Sequence, residues 1–288
     1  MMELRRVGLR GRGRSRLDGV DLRLDSARVY GLIGPNGAGK TSLLCVIGGL
    51  IRPTTGLLIR PEGDAVRIGA VIGAGGLHPG RTVRETLRLA ASPCPDLRQD
   101  VVNPLEACGL TAVAGRRVGS LSLGMKTRLA VAVALTCDPH VLILDEPMNG
   151  LDPDGIAWVR QVVDHARGRG STVIVSSHLL GELAQLVDTA VVLSRGRVSH
   201  IEDIHDEKSS RSSVRVDAPS KLTAVLHDAG ITWHEVGEGL VVDAPVERAV
   251  RLAVESGCAV LSAGPLVTDL DALYSRTTTG EHVSRVVS

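Results

Sequence analysis

The chain has 288 residues and a formal net charge of +1; it is 43% hydrophobic and contains no Phe, two Trp and two Tyr. That length allows one large domain or two smaller ones, and aliphatic side chains must build the core. The near-zero charge gives no global field for nucleic acid, no apolar run reaches the ~18 residues of a membrane helix, and the opening residues lack the basic, apolar, small-residue order of a signal peptide, so a soluble chain is expected.

The densest basic run, "RRVGLRGRGRSR" (5–16), reads as solvated surface. Val29–Ile33 then reads as a buried strand, Gly34–Gly39 as a glycine-rich turn, and the pattern Leu43, Leu44, Ile47 as a helix starting at Lys40. The join is "GPNGAGKT" (34–41), a G-x-x-x-x-G-K-[ST] phosphate loop. Gly34, Gly37 and Gly39 let backbone N–H groups curl round a phosphate without Cβ clashes, Lys40 reaches the β- and γ-phosphates, and the Thr41 hydroxyl can ligate Mg²⁺. The chain has four lysines, Lys40, Lys126, Lys208 and Lys221, against many arginines. A compact ammonium is retained where a crowded phosphate cradle needs one. The five cysteines (Cys45, Cys94, Cys108, Cys137, Cys258) form no C-x-x-C pair and are expected to be buried, reduced thiols.

Further on, "LHPGRTVRETL" opens a helical stretch, with Thr82 as N-cap and Glu85 three residues later. "GSLSLGMKTRLAVAVALT" (119–136) carries a helix pattern that starts at Ser122 and Gly124. Ser122 either N-caps that helix or offers its hydroxyl, with the bare N–H groups, to an anion; both can hold. "HVLILDEP" ends a continuous apolar run in Asp145-Glu146. Carboxylates at the carboxyl end of a central strand lie where open α/β sheets bind ligands. Asp145 suits Mg²⁺ and Glu146 a general base. A third apolar strand in "STVIVSSH" leads to His178, whose neutral imidazole can donate one hydrogen bond to a γ-phosphate.

Residues 202–213 are polar and unpatterned, a linker by composition. Beyond them the pattern is strand 214–217, helix 220–229, strand 232–236, strand 240–243, helix 246–256 and strand 259–262, then a helix from about residue 269. This order fits a small split βαβ, ferredoxin-like unit with no catalytic constellation. Its role reads as structural support, dimer support or regulation.

Taken in order, these stretches resemble the ATP-binding subunit of an ABC transporter over residues 3 to 205. "GPNGAGKT" is similar to its Walker A, "LSLGM" (121–125) to its signature, "VLILDE" (141–146) to its Walker B, "NGLD" (149–152) to its D-loop, and His178 to its switch histidine. "SLGM" and "PMNGLDPDGI" look most like bacitracin, lantibiotic and multidrug-export ATPases. The resemblance implies an α/β P-loop NTPase fold, an ABC-type ATPase with a mixed sheet and a helical subdomain at about 73–137. The boundaries are then 1–205 for the ATP-binding domain, 206–213 for the linker and 214–288 for a small α+β domain. It further implies ATP and Mg²⁺ held by Gly34, Pro35, Asn36, Gly37, Ala38, Gly39, Lys40, Thr41 and Ser42, with Thr41 and Asp145 on the metal and Glu146 and His178 in catalysis. Two chains would form a head-to-tail homodimer, so that Ser122 and Gly124 of one receive the γ-phosphate bound by the other. The implied partner is a membrane permease on a separate chain, with no nucleic acid, and the implied location is cytoplasmic, peripheral on the inner face of the cell membrane. A binding-only or regulatory ATPase, or a soluble relative not linked to transport, is the alternative.

The chain departs from the family pattern in three places. The aromatic that stacks on adenine is missing near Gly11, where Arg10 or Arg12 is expected to cover the base. Gly73 stands at the place of a Gln that contacts Mg²⁺. The signature has Leu123 for Gly and Met125 for Gln, which adds bulk near the phosphate.

Overall fold

The computed structural model describes residues 1–11, 14–61, 66–73, 76–93, 104–204, 212–237, 239–265, 270 and 274. The chain divides into two compact units, Met1–Glu202 with Asp269–Ser288, and Asp203–Thr268. The sequence alone places all of 214–288 in the second unit; of residues 269–288, where a final helix is expected, only Leu270 and Tyr274 are described, both in helical backbone, and Leu270 is buried. The linker core at 205–211 lies outside the described residues.

The first unit opens with β1 (Met2–Gly11), β2 (Arg14–Leu24), β3 (Val29–Ile33), α1 (Lys40–Ile47), β4 (Thr55–Ile59) and β5 (Ile68–Val71). It continues through α2 (Val83–Ala90), α3 (Pro104–Ala107) and α4 (Leu123–Leu135), then β6 (Val141–Asp145), α5 (Pro153–Gly168), β7 (Thr172–Ser176), α6 (Leu180–Ala184), β8 (Thr189–Ser194) and β9 (Arg197–Asp203). A small sheet runs β2-β1-β4, and a six-stranded sheet runs β5-β6-β7-β3-β8-β9. In the larger sheet β5/β6, β6/β7, β7/β3 and β3/β8 are all parallel. Strands buried on both faces must be apolar along their length. Every residue of β3 and β7, and all of β6 except Asp145, is accordingly buried. β9 returns from β8 through Arg195 (φ 49°) and Gly196 (φ 79°), the two left-handed residues of a tight hairpin.

Between β5 and β6 the chain leaves the sheet for α2, α3 and α4. Thr82 caps α2 in a full capping box: its hydroxyl accepts from Glu85 N at 3.2 Å, and the Glu85 carboxylate accepts from Thr82 N at 2.8 Å. Trp158 of α5 donates to the Ala107 carbonyl at 3.1 Å, and the Arg128 guanidinium lies 5.0 Å from the Trp158 ring centroid. A cation over an indole face ties α4 to α5.

Asp138 locks the return from α4 to β6. Its backbone is left-handed (φ 46°), and its two oxygens accept from Arg169 Nε and Nη2, each at 3.0 Å. Those hydrogen bonds hold the Asp138 carboxyl below its ordinary 3.8. Asp138→Asn keeps the shape and tolerates the left-handed backbone but removes the charge. It should lower unfolding stability by about 0.5–1 kcal/mol at neutral pH. Because the folded pKa is depressed, the gap to wild type is complete above pH 3.8 and closes as pH falls below it. Urea midpoints measured across that range check this.

Cys45, Cys108 and Cys258 are free, and burial pushes the Cys108 thiol up to about 12. Cys137 is disulfide-bonded, which corrects the expectation that every thiol is reduced. Among the described residues no helix is long and apolar enough to cross a membrane.

The second unit runs β10 (Ser212–Val216), α7 (Pro219–Asp228), β11 (Trp233–Val236), β12 (Gly239–Val242), α8 (Val246–Glu255) and β13 (Val260–Pro265). Its antiparallel sheet has the order β11-β12-β10-β13, so the two strands that flank the pair α7–β11 and β12–α8 lie side by side in a split βαβ arrangement. Val214, Val216, Leu240 and Val242 meet Leu222, Leu226, Ala249 and Ala253 in its core.

A nucleotide-sized cleft at the carboxyl edge of the parallel sheet

Three neighbouring strands end level with one another. The register pairs Leu32 of β3 with Ser176 of β7, and Ser176 in turn with Asp145 of β6. Whatever follows these strands converges at one edge.

After β3 the chain turns through 34–39 into α1. Gly39 has φ 108° and leaves α1 with no side-chain cap. A Cβ there would lie 2.6 Å from the Arg16 carbonyl, so only glycine allows both the turn and the close passage of β2. The uncapped first turn presents free N–H groups, an anion site by construction. Lys40 Nζ donates to the carbonyls of Gly34 (2.6 Å) and Pro35 (3.3 Å), which holds the ammonium at the centre of the loop. Ala38 is buried and its carbonyl accepts from Gly196 N at 2.8 Å. Gly34 and Ala38 therefore brace the loop, while Pro35, Asn36, Gly37, Gly39, Lys40, Thr41 and Ser42 line the cleft.

Asp145 accepts from Thr41 Oγ1 at 2.9 Å and from Ser176 Oγ at 2.6 Å. Ser176 is wholly buried, and its oxygen also accepts from Glu146 N at 2.9 Å. This serine is a positioning residue that motif reading passes over. Its signal is a polar residue closing an apolar strand, directly opposite Asp145 in the register. Glu146 is left-handed (φ 54°), a conformation that costs a non-glycine residue about 1–3 kcal/mol. The two bonds from its N–H to Ser176 hold it there. Its carboxylate lies 2.9 Å from His178 Nδ1 and accepts from His178 N at 3.3 Å. His178 thus meets the carboxylate within the chain, where the sequence expectation aims it at a phosphate.

The cleft has a volume of about 580 Å³, within the range of small-molecule sites. Asp145 and Glu146 stand at its phosphate-loop end, and Gly11, Ser15 and Arg16 form further wall. Arg10 is exposed on β1 and does not line it, and Arg12 lies outside the described residues. Gly73 (φ 68°) is exposed, with open space where a side chain would be. Ser122 and Gly124 do not line the cleft of their own chain. Ser122 caps α4, its hydroxyl accepting from Met125 N at 3.3 Å, and is itself exposed. Leu123 is 61% exposed and leans toward the turn before α5, where a Cβ on Gly150 would meet its Cδ2 at 2.8 Å.

Among the described residues no group of three or more His, Cys, Asp or Glu converges as a metal site. Thr41 and Asp145 supply a hydroxyl and a carboxylate side by side. Two hard oxygens are the small protein share that Mg²⁺ takes when phosphates and water complete its shell, so the residues present fit a Mg²⁺-nucleotide.

A family model described as ABC transporter matches residues 17–149. The bacitracin transport ATP-binding protein BcrA of Bacillus licheniformis is 34% identical over 223 residues, covering 73% of this chain and 72% of that protein. The lantibiotic transport ATP-binding protein SrtF of Streptococcus pyogenes is 34% identical over 191 residues, covering 64% of this chain and 83% of that protein. A solved ATP-binding subunit of an ABC transporter superposes with a TM-score of 0.64 at 26% identity, over 72% of this chain and 91% of that one.

Proposed function

The chain belongs to the ABC transporter ATP-binding family, and from that premise we propose that it hydrolyses Mg²⁺-ATP as a homodimer, on the inner face of the membrane, to drive a separate permease that exports antimicrobial peptides. The observation that carries the reading is the linked set Thr41–Asp145–Ser176–Glu146–His178 beside the uncapped start of α1.

The roles follow from chemistry. The phosphates lie on the N–H groups of 37–42, and Lys40 exchanges its loop carbonyls for phosphate oxygens. Thr41 and Asp145 would hold Mg²⁺, which when bound would offset the negative charge of the phosphates. The Glu146 carboxylate orients the attacking water and takes its proton. His178, hydrogen-bonded to that carboxylate, fixes its direction. A linked base and positioning group supports hydrolysis over binding alone. The exposed start of α4 supports closure by a second copy, since Ser122 and Gly124 face no phosphate of their own chain. The peptide cargo rests on the names of BcrA and SrtF.

The cargo is tested in a strain from which the chain has been deleted. Bacitracin and a lanthionine-containing peptide should kill it at lower doses than its parent, wild-type chain should restore resistance, and Glu146→Gln should not. Equal sensitivity of the parent, the deletion strain and both complemented strains would remove the cargo. Phosphate release by the purified wild type, absent from Lys40→Ala, tests the ATPase separately.

A further inference from the structure

One wall of the cleft is the hairpin of β1 and β2, and its pairing slips there. Leu9 faces Leu17, but Arg10 faces Ser15, so Arg16 is the extra residue on β2. Such a bulge re-aims a side chain out of the strand's alternation, and bulges concentrate beside active sites. The Arg16 side chain turns across Gly11: a Cβ on Gly11 would lie 2.9 Å from Arg16 Nε, 3.5 Å from Cδ and 3.6 Å from Cζ. Glycine at 11 thus leaves the space the guanidinium fills. The Arg16 backbone is pinned on the other side. Its carbonyl stands 2.6 Å from the Cβ position of Gly39 and 2.7 Å from that of Gly196. Both contacts admit only glycine, so the phosphate loop and the bulge are held at a fixed spacing.

Arg16 is exposed and lines the same cleft as Lys40 and Glu146. Among the described residues nothing pairs with its guanidinium by hydrogen bond or ion pair. Since the phosphates occupy the loop end of the cleft, the base of the nucleotide reaches the hairpin wall. We infer that Arg16 is the base platform: its guanidinium plane stacks on the purine of the bound nucleotide, in place of an aromatic ring at Gly11. This rests on the nucleotide reading of the site. A guanidinium is planar, weakly hydrated and stacks on π faces, whereas an ammonium of equal charge does none of these. Stacking is tolerant of base identity, and purines offer more face than pyrimidines. ADP and GDP should therefore bind alike, and CDP more weakly.

Calorimetric titration of the full chain with Mg²⁺ and ADP, GDP, CDP or pyrophosphate tests this without turnover. Arg16→Ala and Arg16→Lys should both weaken ADP and GDP by roughly ten-fold and leave pyrophosphate unchanged. Arg16→Lys with wild-type affinity would show that only charge matters and overturn the platform. Equal weakening of pyrophosphate by Arg16→Ala would make Arg16 a phosphate contact and overturn the platform as well. Lys40→Ala is the separate control for the site: it should weaken every ligand, pyrophosphate included. If it weakens none, the nucleotide reading falls first and takes the platform with it.

Discussion

Glu146→Gln is expected to bind Mg²⁺-ATP with near wild-type affinity, to release phosphate about 10²–10⁴-fold more slowly, and to change from monomer to dimer in solution when ATP is added. The substitution keeps length and shape. The amide can still accept from His178 N, where the carboxylate now accepts at 3.3 Å, so the loop after β6 should hold its course. What disappears is the proton acceptor. At about 1.4 kcal/mol per factor of ten, the loss corresponds to roughly 3–5 kcal/mol of transition-state stabilisation. Removing one negative charge beside the phosphates also relieves repulsion, which favours the nucleotide-bound state. In the proposed dimer ATP would drive closure as the ligand with large differential affinity for the closed form. Blocking hydrolysis lets that form accumulate. Sedimentation or light scattering with ATP and with ADP reads the mass, and phosphate release reads the chemistry. A variant that stays monomeric at saturating ATP while binding it tightly would mean that closure requires the permease. A variant that still turns over at the wild-type rate would remove Glu146 as the base.

Much of this site is legible in the sequence because its physics is local. A phosphate loop needs glycines, one lysine and one hydroxyl at fixed spacing, and a parallel strand buried on both faces needs an unbroken apolar run; both conditions leave marks in one short window. The order of elements in the second unit is legible for the same reason, since α7 and α8 switch the hydrophobic period from two to 3.6. The hidden parts depend on pairing between distant segments. Ser176 matters because the register sets it opposite Asp145 across two strands. A serine ending a strand carries no such mark by itself. Arg16 matters because the hairpin slips by one residue beside it, and the run 5–16 alternates too irregularly to show where. Looking for a base-covering side chain at Arg10 or Arg12 keeps to the sequence neighbours of Gly11, while the residue that fills the space beside Gly11 comes from the strand facing β1. The left-handed Asp138 and Glu146 are likewise held by partners 31 and 30 positions away.

Ser122→Asp and Lys40→Ala should each abolish ATP turnover alone and partly restore it when mixed. The reasoning separates the two roles of Ser122. As an N-cap, Asp is at least as good as Ser, and a carboxylate at a helix N-terminus is favoured by the dipole. The fold should therefore be untouched, and the thermal midpoint should not fall. As a phosphate ligand, Asp is the worst choice, since it places a negative charge where the γ-phosphate of a second chain must arrive. Ser122→Asp should then bind ATP in its own phosphate loop, whose cleft does not include residue 122, yet fail to close on it. Lys40→Ala loses the ammonium of its own loop but keeps an intact α4 start. In the proposed two-fold dimer each composite site would take its loop from one chain and its α4 start from the other. A mixed dimer of the two variants holds one site with both defects and one with neither. Random mixing makes half the dimers mixed, and half their sites sound, so recovery is limited to about a quarter of wild-type turnover per chain. A single chain that completes its own site could not do this, because each variant carries its defect everywhere. Measured phosphate release that rises on mixing to an appreciable part of that limit supports the shared site. Activity that stays at the average of the two separate variants would place Ser122 in a role confined to its own helix.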